Sequence, residues 1–234
     1  MKEIKVELQE FMGSDRKIAE AAWTSSLDKN LKEARTDEDV KRVINLLASE
    51  KHSVPFESVI FRFWISLPIA IDRQLVTHRI ASHSGMSGRY RTMPSEYLDI
   101  PDDVIAITDK IDNYYFKQYG QKYKELYKEV CSKANSEYSF IIAAIKDDKS
   151  RGVINNEEYK RLREFFRGML PQHNMTERVT IINLRSWSNF YRLRSSSHAQ
   201  PEIQRIASLM HAEIKAKNVC PLAFEALEAN NWQI

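Results

Sequence analysis

The sequence predicts an α+β fold, a single mixed α/β domain whose central sheet is flanked by long helices. In "VIFRFWIS", Val59, Phe61, Phe63 and Ile65 occupy alternate positions, which is the pattern of a strand with one buried face. Apolar residues recur at helical spacing in several other stretches. No internal repeat, Gly/Ser linker or low-complexity tract divides the chain, so we expect one domain over residues 1–234.

The first third of the chain predicts helices on both sides of this strand. "VELQEF" favours a short strand, and "DRKIAEAAWTSS" and "DEDVKRVINLLAS" have the apolar spacing of helices. Pro68 is favoured in a first helical turn, so we expect a helix through "PIAIDRQLVTHR". On that helix Gln74 and His78 are four residues apart and would share a face.

The rest of the chain predicts mostly helices. Residues 108–165 are rich in Lys, Glu and Tyr and predict one or two long amphipathic helices. Their recurring tyrosines favour packing over stacking on a ligand, and these are Tyr114, Tyr115, Tyr119, Tyr123 and Tyr127. "VTIIN" predicts a strand, whereas "RSWSNFYRLR" and "PEIQRIASLMHAEIK" predict helices. The apolar stripe of the last helix consists of Ile203, Ile206, Ala207, Met210 and Ile214.

Composition excludes several classes of protein. With 43% hydrophobic and 29% charged residues, the chain has the balance of a soluble globular protein and not of a disordered one. Its longest apolar run is broken by Arg62 and Pro68 and is too short to span a bilayer, and its first residues lack the apolar segment of a secretion signal. Cys131 and Cys220 match no zinc or redox spacing, so we expect a reducing, cytoplasmic setting without membrane contact.

The charge of the chain favours small anionic ligands over nucleic acid. A net charge of +3 is too mild for the strong basic stripe of a nucleic-acid binder, so we expect no nucleic-acid partner. A window rich in arginine favours geometric recognition of phosphate, although a solvated helix face explains the composition equally well. The arginines of this window are Arg161, Arg163, Arg167, Arg178, Arg185, Arg192, Arg194 and Arg205.

The stretch "THRIASHSGMSGRY", residues 77–90, predicts a binding turn. Gly85 and Gly88 let the backbone approach a ligand closely. Arg79 and Arg89 offer planar sets of donors that suit phosphate or carboxylate. We therefore expect this turn to cradle an anionic, planar ligand.

Several common cofactor and metal motifs are absent from the sequence. There is no G-x-G-x-x-G, no Walker A motif and no G-x-S-x-G, so classical dinucleotide, P-loop and α/β-hydrolase sites are not supported. His78 and His83 are five residues apart, an offset that suits neither a helix nor a strand, and no carboxylate is near them in the sequence. We expect no metal site.

Four blocks of the sequence together resemble the flavin-dependent thymidylate synthases, the ThyX family. In order, they are "HSVPFE", "RQLVTHRIASHSGMSGRY", "FRGMLP" and "INLRSWSNFYRLRSSSHAQPEI". The family signature is an Arg-His-Arg triplet, seven spacer residues and a serine, and here it appears as Thr77-His78-Arg79, seven residues and Ser87. The opening "FMGSDRKIAEAAWTSS" is also similar to that of the family. The resemblance covers nearly the whole chain except roughly residues 99–164, a longer, helical and charged insertion.

The resemblance implies a ThyX-like fold and a specific reaction. Enzymes of this family are homotetramers with active sites shared between subunits, and they reductively methylate dUMP to dTMP. The carbon comes from methylene-tetrahydrofolate, and the electrons come from NADPH through FAD. The cofactor would supply the redox chemistry, while the protein would supply orientation and electrostatics.

The resemblance also implies roles for the matching residues. The positions that match the dUMP contacts are Gln74, Ser87, Gly88, Arg89, Tyr90, Arg167 and Arg194. The positions that match the FAD-binding set are Ser25, His52, His78, Arg79, Asn183, Arg185, Asn189 and His198. Arg89 and Arg167 would bind phosphate, and Ser87 would bind without forming a covalent bond.

Two of these residues are the catalytic candidates that the resemblance implies. Arg194 would lie near the uracil carbonyl and stabilise the negative charge that develops when C5 becomes nucleophilic. His52 matches a family residue near the flavin ring and would order folate or water.

Three departures from the family pattern concern the flavin half of the site. Thr77 replaces the first Arg of the triplet, Ser84 and Gly85 stand where Asn and Glu are usual, and Trp23 stands where an Arg is common. An Arg–phosphate bond contributes roughly 1.5–3 kcal/mol, so we expect weaker or rearranged FAD binding. Two alternatives remain open: an enzyme that transfers another one-carbon unit to dUMP, such as hydroxymethyl, and a non-catalytic nucleotide- or RNA-binding relative.

Overall fold

The strands of this computed structural model, which describes residues 3–26, 28–111 and 123–233, form a sheet with the order β1-β2-β4-β3. Their bounds are β1 (Lys5–Met12), β2 (Ile60–Pro68), β3 (Ala81–Gly85) and β4 (Met175–Asn183). The strands expected at "VELQEF", "VIFRFWIS" and "VTIIN" are all present. A sheet combined with many helices confirms the predicted α+β fold class.

Strand β2 is stabilised by the alternation that the sequence shows. Phe61, Phe63 and Ile65 are fully buried, while the residues between them are partly exposed. β1 pairs antiparallel with β2, and the register shifts between Leu8 and Glu10, so β1 carries an irregularity of the kind that bends a strand. Val59, directly before β2, is also fully buried.

Helices make up most of the remaining described residues. They are α1 (Asp15–Trp23), α2 (Lys29–Glu33), α3 (Asp37–Ser49), α4 (Ile69–Leu75), α5 (Asp102–Thr108), α6 (Tyr123–Ser150), α7 (Asn156–Phe166), α8 (Leu184–Arg194), α9 (Pro201–Ala216) and α10 (Pro221–Ala229). Short 3-10 turns cover Val54–Ser58 and Arg167–Met169. The side chain of Asn155 accepts bonds from the first turn of α7, and Glu158 bonds back to the Asn155 backbone, which fixes where α7 begins.

Helix α4 corrects one prediction about the binding turn. The helix begins at Ile69, after Pro68 has closed β2, and it ends at Leu75, so Gln74 lies on it but His78 does not. The two side chains therefore do not share a helix face. The Thr77 hydroxyl donates to the Gln74 carbonyl over 2.7 Å, which satisfies a terminal carbonyl locally and helps to end the helix.

The chain divides into two compact units. A helical unit contains Met1–Glu3, Leu67–Ala70 and Gly85–Thr176, and a sheet unit contains Ile4–Ser66, Ile71–Ser84 and Glu177–Ile234. Each is described below by itself. The expectation of one domain over residues 1–234 stays a prediction.

The helical unit has its own apolar core beside a buried pair of amides. The buried core residues are Met93, Tyr138, Ile142, Ile145 and Leu170. Asn135 and Asn174 exchange side-chain hydrogen bonds of 3.1 and 2.6 Å, and Asn174 also donates to the Pro94 carbonyl. Burying these amides is tolerated because they satisfy each other.

The expected long helices are present as α6 and α7. Among the tyrosines that the sequence analysis singled out, Tyr127 is half-buried and donates to the Leu98 carbonyl over 2.6 Å. Tyr138, which was not among them, is fully buried. Tyr114, Tyr115 and Tyr119 lie outside the described residues. Among the helices in the described part of the chain, none combines the length and apolar character needed to cross a membrane.

The sheet unit is held by the apolar faces of β2, α8 and α9. Trp187 is fully buried and makes edge contact with Phe61, with ring centroids 6.3 Å apart. The predicted stripe of α9 is buried at every position, from Ile203 to Ile214. Trp23 is the last residue of α1, and only 8% of its surface is exposed. The tryptophan that departs from the family pattern is therefore part of the core.

Candidate active site

The turn at residues 87–90 is the first element of the site, in the helical unit. The Ser87 carbonyl accepts hydrogen bonds from the backbone of Tyr90 at 3.1 Å and Arg91 at 3.0 Å, and the Ser87 hydroxyl accepts from the Arg89 backbone at 3.3 Å. These bonds hold the turn closed. They also direct the Ser87 side chain to its own backbone, which suits a binding role better than a nucleophilic one.

Gly88 lets an arginine pack against this turn. A Cβ atom at position 88 would lie 2.8 Å from Cδ of Arg167 and 3.4 Å from Cγ of Met93. Any side chain there would displace Arg167, whose guanidinium group stands at the exposed end of α7. The fold therefore brings together the turn and Arg167, which are about eighty residues apart in sequence.

Arg89 is paired with carboxylates of α7. Its Nε lies 3.2 Å from Oε1 of Glu164, and its Nη2 lies 3.6 Å from Oε2 of Glu157. Its guanidinium carbon also lies 5.7 Å from the centre of the Tyr90 ring, which is largely exposed. An anion that bound Arg89 would have to compete with these two carboxylates.

A third arginine, Arg163, reaches the same turn from within α7. It is only 6% exposed, and its Nη1 donates to the Tyr90 carbonyl over 3.4 Å. Its guanidinium carbon lies 5.4 Å from the centre of the Tyr159 ring. The sequence placed Arg163 in the arginine-rich window but gave it no role, and its spacing of four residues from Arg167 was the available signal.

In the sheet unit, Arg194 and His78 form the central polar contact. Nε of Arg194 donates to Nε2 of His78 over 2.9 Å, and the His78 ring packs edge-on against Phe190 with centroids 4.8 Å apart. Burial, with the nearby charges of Arg194 and His83, lowers the pKa of His78 to about 4. His78 is therefore neutral near pH 7, and its proton is on Nδ1, because Nε2 is the acceptor.

Three further polar contacts lie in the sheet unit. Arg178 and Asp72 form a half-buried ion pair through two hydrogen bonds, which links β4 to α4. Nδ1 of His83 lies 3.1 Å from the Thr180 hydroxyl, and burial lowers the pKa of His83 as well. Gln74 donates to Gln200 over 2.6 Å.

Helix α8 carries the amide and guanidinium groups of the predicted flavin set. Asn183 caps the helix, and its Oδ1 accepts from the Ser186 backbone over 2.8 Å. Arg185 donates to Glu57 over 2.6 Å, while Asn189 is exposed and accepts from Arg192 over 3.0 Å. One short helix therefore presents three of the predicted residues.

Four other predicted residues are exposed in the sheet unit: Ser25, His52, Arg79 and His198. The Ser25 hydroxyl donates to the Ala22 carbonyl over 3.1 Å, and the His198 backbone donates to the Ser196 hydroxyl over 3.3 Å. These bonds are local, and they do not join the four residues to one another. Their binding roles stay predictions.

Comparison with known proteins identifies the family. Residues 7–222 match the sequence profile of the thymidylate synthase complementing protein family, Thy1. A flavin-dependent thymidylate synthase from Kosmotoga olearia is 37% identical over 221 residues, which cover 94% of this chain and 88% of that protein. The chain belongs to this family. The flavin-dependent thymidylate synthase of Pseudothermotoga lettingae is 31% identical over 229 residues, again covering 94% and 88% of the two chains.

A solved structure supports the fold of this Thy1 family member. The UMP/dUMP methylase PolB from Streptomyces cacaoi, bound with 5-Br dUMP, superposes with a TM-score of 0.72 and covers 99% of this chain and 97% of its own. The identity is 23%, so this likeness concerns the fold. Both the predicted family and the predicted ThyX-like fold are confirmed.

The departures from the Thy1 pattern have local structural roles. Thr77 uses its hydroxyl to end α4, and Trp23 fills the core beside α1. Ser84 and Gly85 form the exposed end of β3. Each replacement is thus accommodated by the fold itself.

Proposed function

We propose that this protein is a flavin-dependent thymidylate synthase that methylates dUMP to dTMP. The observation that carries the proposal is the turn at residues 87–90, where a closed backbone, a hydroxyl group, Arg89 and Arg167 come together in a member of the Thy1 family. We further propose that methylene-tetrahydrofolate supplies the carbon and that NADPH supplies the electrons through FAD.

The helical unit would hold the phosphate of dUMP. Arg167 is exposed beside Gly88, and Arg89 is held near the turn by Glu157 and Glu164. Guanidinium groups bind phosphate through charge-assisted hydrogen bonds, which are about twice as strong as neutral ones. Tyr90, exposed at the rim of the turn, would contact the nucleotide beside them.

Gln74 and Arg194 of the sheet unit would hold the uracil ring. The bond from Nε of Arg194 to His78 fixes the plane of the guanidinium group and leaves the Nη groups to donate to a uracil carbonyl. Negative charge that builds up on that carbonyl would be stabilised by donors already in position, which is where such donors act most strongly. Neutral His78 does not add a competing positive charge.

The residues of the sheet unit fit a flavin nucleotide. Arg79 and Asn189 are exposed and carry N–H donors, and Arg185 forms an ion pair with the half-exposed Glu57. Guanidinium and amide groups are the donors that a pyrophosphate and an isoalloxazine ring require. When bound and reduced by NADPH, the flavin would supply the hydride that reduces the methylene carbon. His78, Asn183, Ser25, His52 and His198 complete the proposed binding set.

We also propose a homotetramer with active sites shared between subunits, as the family resemblance implies. The nucleotide residues of the helical unit and those of the sheet unit then need not come from one chain. His52 would order folate or water near the flavin.

Product analysis tests the proposed function. The purified protein is incubated with dUMP, methylene-tetrahydrofolate, FAD and NADPH, and the nucleotide product is identified by mass. We expect dTMP and a flavin absorbance spectrum that changes when dUMP is added. A hydroxymethyl product would favour an enzyme that transfers another one-carbon unit to dUMP. A protein that does not take up FAD and does not convert dUMP would favour a non-catalytic relative.

A further inference from the structure

Among the residues that the structure describes, no carboxylate pairs with the buried cation Arg163. Only 6% of Arg163 is exposed, and its Nη1 donates to the Tyr90 carbonyl over 3.4 Å. Nε and Nη2 are buried and have no hydrogen-bond partner in the described part of the chain. The Tyr159 ring contacts the guanidinium group through its face but accepts no conventional hydrogen bond.

Arg178 shows what a satisfied guanidinium group looks like. It is also shielded from solvent, and it bonds to both carboxylate oxygens of Asp72. Because a guanidinium group stays charged at any ordinary pH, two nitrogens without a hydrogen-bond partner on a buried arginine are unfavourable unless a ligand completes them.

The position of Arg163 indicates which ligand this is. It lies one helical turn before Arg167 on α7, and its side chain contacts the turn that also carries Ser87 and Arg89. Three arginines thus meet one short, hydroxyl-bearing turn of the helical unit. Planar donor sets arranged in this way match the oxygens of a phosphate group.

We propose that Arg163 is a further nucleotide-binding residue whose Nε and Nη2 donate to the phosphate group of dUMP. This inference rests on the proposed function. Arg163 has no carboxylate to leave in the described part of the chain, whereas Arg89 must first leave Glu164 and Glu157. Because Nε and Nη2 of Arg163 are buried, its guanidinium group must turn outward as the phosphate binds. Its contact with the Tyr90 carbonyl positions the turn before the nucleotide arrives.

Binding of dUMP to the full chain, measured by calorimetry, tests this assignment. Arg163→Gln removes the charge and is expected to weaken dUMP binding by tenfold or more, which is the range for a charge-assisted bond. Arg163→Lys keeps the charge but not the planar donors and is expected to weaken binding by about fivefold. Arg151→Gln is the matched control, since it makes the same charge change at an exposed position of the helical unit and should bind like the wild type.

Phosphorus NMR of the bound nucleotide separates direct contact from a purely structural role. If Arg163 donates to the phosphate, it changes the pH at which the phosphate group of bound dUMP takes up a proton. In the Arg163→Gln variant at saturation, this pH should move toward that of free dUMP. Circular dichroism confirms that each variant is folded, and Arg163→Lys provides the result if Arg163→Gln does not fold.

Two results would overturn the assignment. One is dUMP affinity within twofold of wild type in the folded variants, and the other is weaker binding with an unchanged phosphate titration. A wild-type protein that does not bind dUMP at all would instead contradict the proposed function, so the two failures are distinguishable.

Discussion

Nε of Arg194 donates a hydrogen bond to Nε2 of His78 over 2.9 Å, and this contact joins a predicted catalytic residue to a predicted flavin-binding residue. It requires a neutral imidazole, which burial of His78 provides. The guanidinium group is thereby oriented by the protein before any substrate binds. Several predictions about the reaction depend on this pair.

Replacing Arg194 should slow the reaction more than it weakens substrate binding. Arg194→Ala removes donors aimed at developing charge, and the loss of one such donor typically lowers kcat by about 10²–10³-fold. Steady-state kinetics with dUMP measures the effect, and Arg42→Ala, at an exposed position of the sheet unit, is the charge-matched control. If kcat of the folded Arg194→Ala protein decreased by less than tenfold, that result would contradict the role given to Arg194.

Acidification should destabilise the protein through His78. The folded state lowers the pKa of His78 from 6.5 to about 4, so the unfolded chain binds a proton more readily than the folded chain. The stability from neutral His78 is therefore fully present above pH 6.5 and is lost as the pH falls toward 4. Burial lowers the pKa of His83 and His211 too, which adds to the same trend.

Urea unfolding at pH 7.5 and pH 4.5 measures this dependence. In His78→Gln, an amide oxygen can still accept from Arg194, but position 78 no longer titrates. The variant should lose less stability between the two pH values than the wild type does. Equal losses in the two proteins would show that His78 does not contribute.

Gly88→Ala should weaken dUMP binding with little loss of stability. The added Cβ would lie 2.8 Å from Cδ of Arg167, and this flexible side chain can move away, which displaces its guanidinium group from the turn. We expect a rise of about tenfold in the Kd for dUMP, comparable to losing one charge-assisted bond. Gly168→Ala is the control, because nothing lies within 4 Å of a Cβ there.

Glu164→Gln should strengthen dUMP binding. Glu164 lies 3.2 Å from the Arg89 guanidinium and competes with the phosphate for it. Because both side chains are partly exposed, their ion pair contributes no more than about 1 kcal/mol, and we expect a decrease in Kd of about two- to fivefold. Glu33→Gln, which removes an exposed carboxylate elsewhere, should leave the Kd unchanged. Weaker binding in Glu164→Gln would mean that Glu164 supports the site.

The elements with strong local patterns could be predicted from the sequence, whereas the contacts that build the site could not. The alternation around Phe61 and the stripe from Ile203 to Ile214 each determine which face is buried, independently of distant residues. The end of α4 was missed because the Thr77 hydroxyl bonds to the helix terminus, which periodicity does not register.

The site depends on pairs that are far apart in the chain. Arg178 and Asp72 are separated by 106 residues, and Arg194 and His78 by 116. The family resemblance named Arg194 and His78 but could not show that they contact each other. The burial of Arg163 depends on the turn that it contacts, and its four-residue spacing from Arg167, the available local signal, does not show that the side chain is buried.

The release of tritium from dUMP labelled at C5 tests the central claim most directly, because methylation at C5 must replace that hydrogen. With FAD, methylene-tetrahydrofolate and NADPH, the wild-type protein should release tritium to water, and Arg194→Ala should release it at least a hundredfold more slowly. A folded wild-type protein that binds dUMP but releases no tritium under these conditions would contradict the account.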